Sequence, residues 1–303
     1  MRSRESRKKR YILVPFCALI LLSIPILLYW KDTNREPVRH RLQWWLSAIE
    51  WDEKRTKETG KGIRIAVLDS GIDAAHPDLI GRIESEYKVS GLEGNSTAST
   101  LHGTAVAGII AGSPSHEKGI LGVAVQASIL SVDVTDHENG SIEVEHLVEG
   151  IQYAISQSVD IIHISAGVKN HSEQLHKVIR EAYEAGIVIV AACGNFMDND
   201  MLYPAKYDEV LAVGSRAKSN DIISPAGTVK KKVIYLPGEN IVTASESSGY
   251  TGLSGTSAAA PILSGIIALM MEKDRSRTNE KIISYFNGYS EPSIKVRDCI
   301  QLK

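Results

Sequence analysis

From residue 62 onward, short apolar runs alternate with longer amphipathic ones. The runs "IRIAVL" (63–68), "ASILSVDV" (127–134), "DIIHIS" (160–165), "GIVIVAA" (186–192) and "EVLAVGS" (209–215) are rich in Ile and Val. That is the pattern of strands buried on both faces of a parallel sheet. Between them, "GTAVAGIIAG" (103–112), "IEVEHLVEGIQYAISQ" (142–157) and "SEQLHKVIREAYEAG" (172–186) read as helices, the last closing on Gly186, a natural helix stop. Strand–helix alternation predicts an α/β fold with a mainly parallel sheet flanked by helices. Functional groups on such sheets lie beyond the carboxyl ends of the strands.

The N-terminal pattern is different. Residues 1–10 carry six Lys/Arg, and residues 11–30, "YILVPFCALILLSIPILLYW", carry no charge. Twenty such residues match the thickness of a bilayer core, and Tyr29 and Trp30 suit its interface. A retained single-pass transmembrane helix is expected. The alternative is a signal peptide that is cleaved to release a secreted protein. The basic segment places residues 1–10 in the cytoplasm and the rest outside the cell membrane. Residues 31–41 read as a charged tether, and residues 42–303 as the main domain. Its first stretch, "LQWWLSAIEW" (42–51), is aromatic and amphipathic, suited to packing on the domain or to touching lipid.

Charge and cysteine content change this picture little. The 303 residues hold 34 Lys/Arg against 36 Asp/Glu, so nothing points to a nucleic-acid partner. Of the cysteines, Cys17 lies in the apolar run, which leaves Cys193 and Cys299 as two that could pair; their spacing fits no zinc site, and a disulfide framework is not expected.

Candidate chemistry centres on "LSGTSAAAP" (253–261). Ser257 there is either part of a helix cap or a nucleophile at a helix start, with Pro261 in or near the first turn. A nucleophile needs a base, an orienter and an oxyanion donor. Asp69 directly follows the run 63–68 and is an Asx-turn opener or a buried orienting carboxylate. Asn195 ends "GIVIVAACGN" and is a loop residue or an amide donor to an oxyanion. His102 opens the narrow, glycine- and alanine-rich helix 103–112. Among the other histidines, His163 reads as a packed core residue. His76 sits in a turn, His40 in the tether, and His116, His137, His146, His171 and His176 in polar loops or on helix faces.

Together, "AVLDSGID…HPDL", "HGTAVAGIIAG", "AACGN" and "GTSAAAP" resemble the aspartate, histidine, oxyanion-asparagine and serine motifs of the subtilisin family of serine peptidases, in the family's order. The resemblance covers roughly residues 44–290 and implies a subtilisin-like three-layer fold. It implies a serine endopeptidase in which Ser257 attacks, His102 moves the proton, Asp69 orients the imidazole, and Asn195 with the Ser257 N–H binds the oxyanion. By the same resemblance, Ser165, Ala166 and Gly167 pair with the substrate backbone. Gly167 leaves room for the substrate side chain, and Ala192, Cys193 and Gly194 form the other wall of the main specificity pocket. Cys193 stands where alanine is usual, either as a small buried hydrophobe or as a thiol that opens the enzyme to thiol reagents.

The departures matter as much. Ala105 replaces a second histidine, Ala258 a methionine, and Ile262 a histidine. "SPSHEKGILGV" (113–123) lacks the asparagine-bearing pattern of the family's tight calcium loop. Asp78 matches one calcium ligand, but a cation that needs six or more oxygens is poorly served by one carboxylate. No cofactor or metal is expected for the chemistry, and only a structural calcium is left open. About a dozen residues separate the apolar run from the catalytic part, so no prodomain is evident. The expectation is a membrane-anchored endopeptidase acting on a peptide or protein substrate, in its narrower form a precursor-processing enzyme at the cell surface. The alternative is a catalytically silent peptide-binding module on the same fold.

Overall fold

The computed structural model describes residues 43–52, 56–92, 100–138, 140–195, 200–223, 231–289 and 294–301. The basic segment 1–10, the apolar run 11–30 and the tether 31–41 lie outside the described residues. Among the described residues no helix is long and apolar enough to cross a membrane.

In chain order the first elements are α1 (Trp44–Ala48), β1 (Arg64–Asp69), β2 (Ile83–Lys88), α2 (Leu101–Ala111), β3 (Ser128–Asp133), α3 (Val144–Ser156), β4 (Ile161–Ile164) and α4 (Glu173–Glu184). There follow β5 (Val188–Ala192), β6 (Val210–Arg216), β7 (Val233–Pro237), β8 (Ile241–Ser245), β9 (Gly249–Leu253), α5 (Thr256–Lys273), α6 (Asn279–Gly288) and α7 (Val296–Ile300). Strands β1 to β7 form one sheet in the order β2-β3-β1-β4-β5-β6-β7, with every pairing parallel. The five apolar runs of the sequence are its β3, β1, β4, β5 and β6, buried almost throughout.

Two apolar cores lie on opposite faces of this sheet. One gathers α1, α2, α5, α6 and α7, and the other α3 and α4. The result is the three-layer α/β architecture expected of a parallel sheet covered on both sides. Helix α5 is buried along nearly its whole length, as a helix apolar all round must be. The chain leaves β1 for β3 on one side and later adds β4 on the other, so the order reverses at β1. A crevice at the carboxyl end of the sheet opens at such a switch point.

Residues 43–51 of this aromatic stretch pack on the domain. Trp45 and Leu46 are fully buried. The Gln43 amide donates to the Leu121 carbonyl at 2.9 Å and accepts from Leu121 N at 3.0 Å, while Trp51 Nε1 donates to the Val123 carbonyl at 3.1 Å.

Candidate active site

Asp69 is the last residue of β1 and is 4% exposed. His102, the second residue of α2, places Nδ1 2.8 and 2.9 Å from the two carboxylate oxygens of Asp69. Gly103 makes this approach possible, because a Cβ there would stand 2.1 Å from the Gly71 carbonyl oxygen and 3.3 Å from Asp69 Cβ. Ser70 N–H also donates to Asp69 Oδ1 at 2.8 Å. Burial alone would raise the Asp69 pKa, but the His102 charge, its hydrogen bond and that of Ser70 outweigh it and hold the carboxyl below its ordinary value. The Asp69 charge raises the His102 pKa against the opposing effect of burial. The imidazole remains 39% exposed, so a substrate can reach it.

Ser257 is the second residue of α5, and the helix begins earlier than the proline suggested. Gly255, at φ 94°, is its N-cap, and Pro261 stands in the second turn. Gly255 admits no side chain, since a Cβ would lie 2.6 Å from the Asn195 amide atoms. The Asn195 oxygen accepts from Thr256 N at 2.8 Å and from Thr256 Oγ1 at 3.2 Å. With its oxygen so engaged, the exposed Asn195 keeps its NH₂ as the group that can donate. The Ser257 N–H lies in the first turn and has no intrahelical acceptor. Both donors stand at the positive end of the helix dipole, where negative charge is favoured.

The Ser257 hydroxyl donates to the Ser165 carbonyl at 3.3 Å. A bond from this hydroxyl to the imidazole would replace that one, and such bonds commonly form only with substrate bound. Asp69 ends β1, Ser165 directly follows β4 and Asn195 lies just beyond β5. These three strands are neighbours, so the candidate residues collect at one edge of the sheet.

The segment 165–167 leaves β4, and Val168 then pairs with Tyr203 through two 2.8 Å backbone bonds. Leu202 N–H donates to the Cys193 carbonyl at 2.9 Å. Its side chain reaches across to Gly167, where a Cβ would meet Leu202 Cβ at 2.7 Å and Cδ1 at 3.3 Å. Leu202 thus takes part of the room beside Gly167 and ties this segment to 192–194 through Cys193. Cys193 is 1% exposed, and burial pushes its thiol up to about 12 despite the opposing charge of Lys231. It therefore carries almost no thiolate at neutral pH, so of the two readings the small buried hydrophobe holds and the sensitivity to thiol reagents does not. Cys193 and Cys299 are both free.

Asp78 tests whether the site fits calcium. Its Oδ1 accepts from Ser115 N at 2.7 Å and Ser115 Oγ at 2.8 Å, and its Oδ2 from Ile120 N at 2.8 Å and the Tyr250 hydroxyl at 2.9 Å. Both oxygens face hydrogens that a cation would have to displace, so these residues do not fit a calcium ion. Burial raises the Asp78 pKa, but the four hydrogen bonds outweigh it and lower it overall.

Thr256, Leu202 and Tyr250 also shape this region, and no sequence signal singles them out. Leu202 and Tyr250 lie in stretches with no motif, and Thr256 was overshadowed by its neighbour.

A strand-end carboxylate paired with an exposed imidazole, beside a serine at a helix start, is the arrangement of a serine peptidase. Residues 60–290 match the Subtilase family, described as Peptidase_S8. The chain is 38% identical over 232 residues to the major intracellular serine protease of Bacillus subtilis (strain 168), covering 74% of this chain and 72% of that one. It is 36% identical to subtilisin E of the same organism, covering 74% of this chain and 59% of that protein. Among solved structures it resembles fervidolysin from Fervidobacterium pennivorans, a keratinolytic enzyme related to subtilisin. That match has a TM-score of 0.75 at 24% identity, over 89% of this chain and 48% of the other. It also resembles sphericase, with a TM-score of 0.70 at 26% identity, over 81% and 89% of the two chains. The chain belongs to the subtilase family and is a serine-type endopeptidase with a subtilisin-like α/β fold.

Proposed function

We propose that the chain cleaves peptide bonds through an acyl-enzyme formed on Ser257. His102 Nε2 takes the Ser257 proton as Oγ attacks the scissile carbonyl, and then gives it to the leaving amine. Asp69, bound to Nδ1–H, keeps the imidazole oriented and stabilises its charged form. The Asn195 NH₂ and the Ser257 N–H receive the oxyanion, and water reverses the sequence to release the acid. The observation that carries this reading is the pair of bonds from His102 Nδ1 to Asp69, 2.8 and 2.9 Å, at the sheet edge where α5 presents Ser257. A fluorophosphonate probe tests it. The protein is expected to label, and Ser257→Ala is expected to abolish labelling and to lower kcat by on the order of 10⁶. Undiminished labelling of Ser257→Ala would exclude the assignment.

The finer reading is of a membrane-anchored enzyme with its catalytic domain outside the cell, trimming a peptide precursor. The uncharged run 11–30 and the basic segment before it support the anchor. Leu202, by narrowing the pocket, supports selective cleavage. Resistance of the protein to alkaline extraction from membranes tests the anchor. Broad degradation of an unfolded protein would exclude the processing role, whereas one or two discrete cuts support it.

A further inference from the structure

His163 is fully buried in the middle of β4. Strand alternation puts its side chain on the same face as that of Ser165, two residues on. Two hydroxyls flank the ring: Nδ1 lies 2.9 Å from Ser264 Oγ on α5, and Nε2 lies 2.7 Å from Ser165 Oγ. Each hydroxyl can donate or accept, so either tautomer of a neutral imidazole completes both bonds. Ser264 is itself fully buried. It stands seven residues beyond Ser257 on α5, two helical turns or about 10 Å along the axis. The Ser165 carbonyl in turn receives the Ser257 hydroxyl at 3.3 Å. A closed path therefore runs from Ser257 down its helix to Ser264, through the imidazole to Ser165, and back to Ser257.

We propose that His163 is a positioning residue for the reaction: by tying Ser264 on α5 to Ser165 at the end of β4, its ring sets where the Ser257 hydroxyl stands against the strand. A packed apolar residue would fill the same volume without fixing the helix against the strand end along this direction. Burial, the dominant influence, keeps the imidazole neutral down to about 3, so it bears no charge that would compete with His102 for Asp69.

The proposal rests on Ser257 being the nucleophile, and the rate and final extent of fluorophosphonate labelling separate the two ideas. His163→Leu and Ser264→Ala are expected to label to the full extent but about ten- to a hundredfold more slowly, with kcat falling in parallel and KM within about twofold. The double variant is expected to lose no more than His163→Leu alone, because both break one path. His163→Gln, whose amide reaches the place of Nε2, is expected to recover part of the rate. Full-extent labelling of His163→Leu at the wild-type rate would overturn the proposal. Should His163→Leu label only in part because it folds poorly, Ser264→Ala decides, since it removes one hydroxyl: a wild-type rate there overturns the proposal equally. Failure of the unmodified protein to label would instead strike at the role of Ser257.

Discussion

His102 Nδ1 contacts both carboxylate oxygens of Asp69, at 2.8 and 2.9 Å, so charge and geometry act on the same ring nitrogen. The Asp69 charge raises the His102 pKa above its ordinary 6.5. The base works only when neutral, so kcat/KM is expected to fall on the acid side through a pKa above that value. Asp69→Asn removes the stabilising charge. It is expected to move this limb to lower pH and to reduce kcat by on the order of 10⁴. A pH–rate profile of both proteins checks this, and an unmoved limb would contradict it.

The Asn195 oxygen is held by Thr256, which leaves the amide NH₂ to donate. Asn195→Ala is expected to lower kcat by about 10²–10³ with little change in KM, because the donor acts on charge present only in the transition state. Steady-state kinetics on a peptide amide provides the check. An effect confined to KM would place Asn195 in ground-state binding instead.

Leu202 packs against Gly167, where the proposed substrate side chain would enter. The wild-type enzyme is therefore expected to favour a small residue before the scissile bond. Leu202→Ala is expected to raise kcat/KM for a phenylalanine at that position by about tenfold or more, the contribution of a few buried methylenes, while leaving an alanine substrate nearly unaffected. Paired substrates differing only at that residue test this.

Four hydrogen bonds to Asp78 join the loop after α2 and strand β9 to the turn that follows β1. Neither chelator nor added calcium is expected to shift Tm through this site. Tyr250→Phe is expected to cost about 1.5 kcal/mol, or roughly 3–6 °C in Tm. The folded pKa of Asp78 lies below its ordinary 3.8. Its stabilisation is therefore complete above the unfolded value and is lost as the pH falls through the folded one. Thermal melts with and without calcium, repeated at acid pH, test these statements; a rise in Tm with calcium that Asp78→Asn abolishes would overturn them.

The central strands and their helices were legible because burial on both faces leaves an unmistakable apolar run: "GIVIVAA" became β5 with its boundaries almost unchanged. The edge strand β2, "IESEYK", was not, because only part of it is covered and its residues are mostly polar. The hairpin of β8 and β9 was also missed; β9, "GYTGL", contains two glycines and little apolar repetition. His163 shows the limit in the site itself. A histidine in an apolar run is rightly placed in the core by pattern, but its two hydroxyl partners come from 2 and 101 residues away, and the distant one carries no local signal.

Helix ends ordinarily fray first, and Ser257 stands where fraying would strike. Yet Thr256 and Ala258 to Ala260 are fully buried, Gly255 N–H is tied to the Gly238 carbonyl at 2.7 Å, and Thr256 N–H to Asn195. Pro261 has no N–H to offer the Ser257 carbonyl four residues back, so this turn is moored sideways to neighbouring loops more than lengthwise to its own helix. Heat then has no easy way to loosen Ser257 alone. Catalysis and the cooperative unfolding of the whole domain should fail at the same temperature.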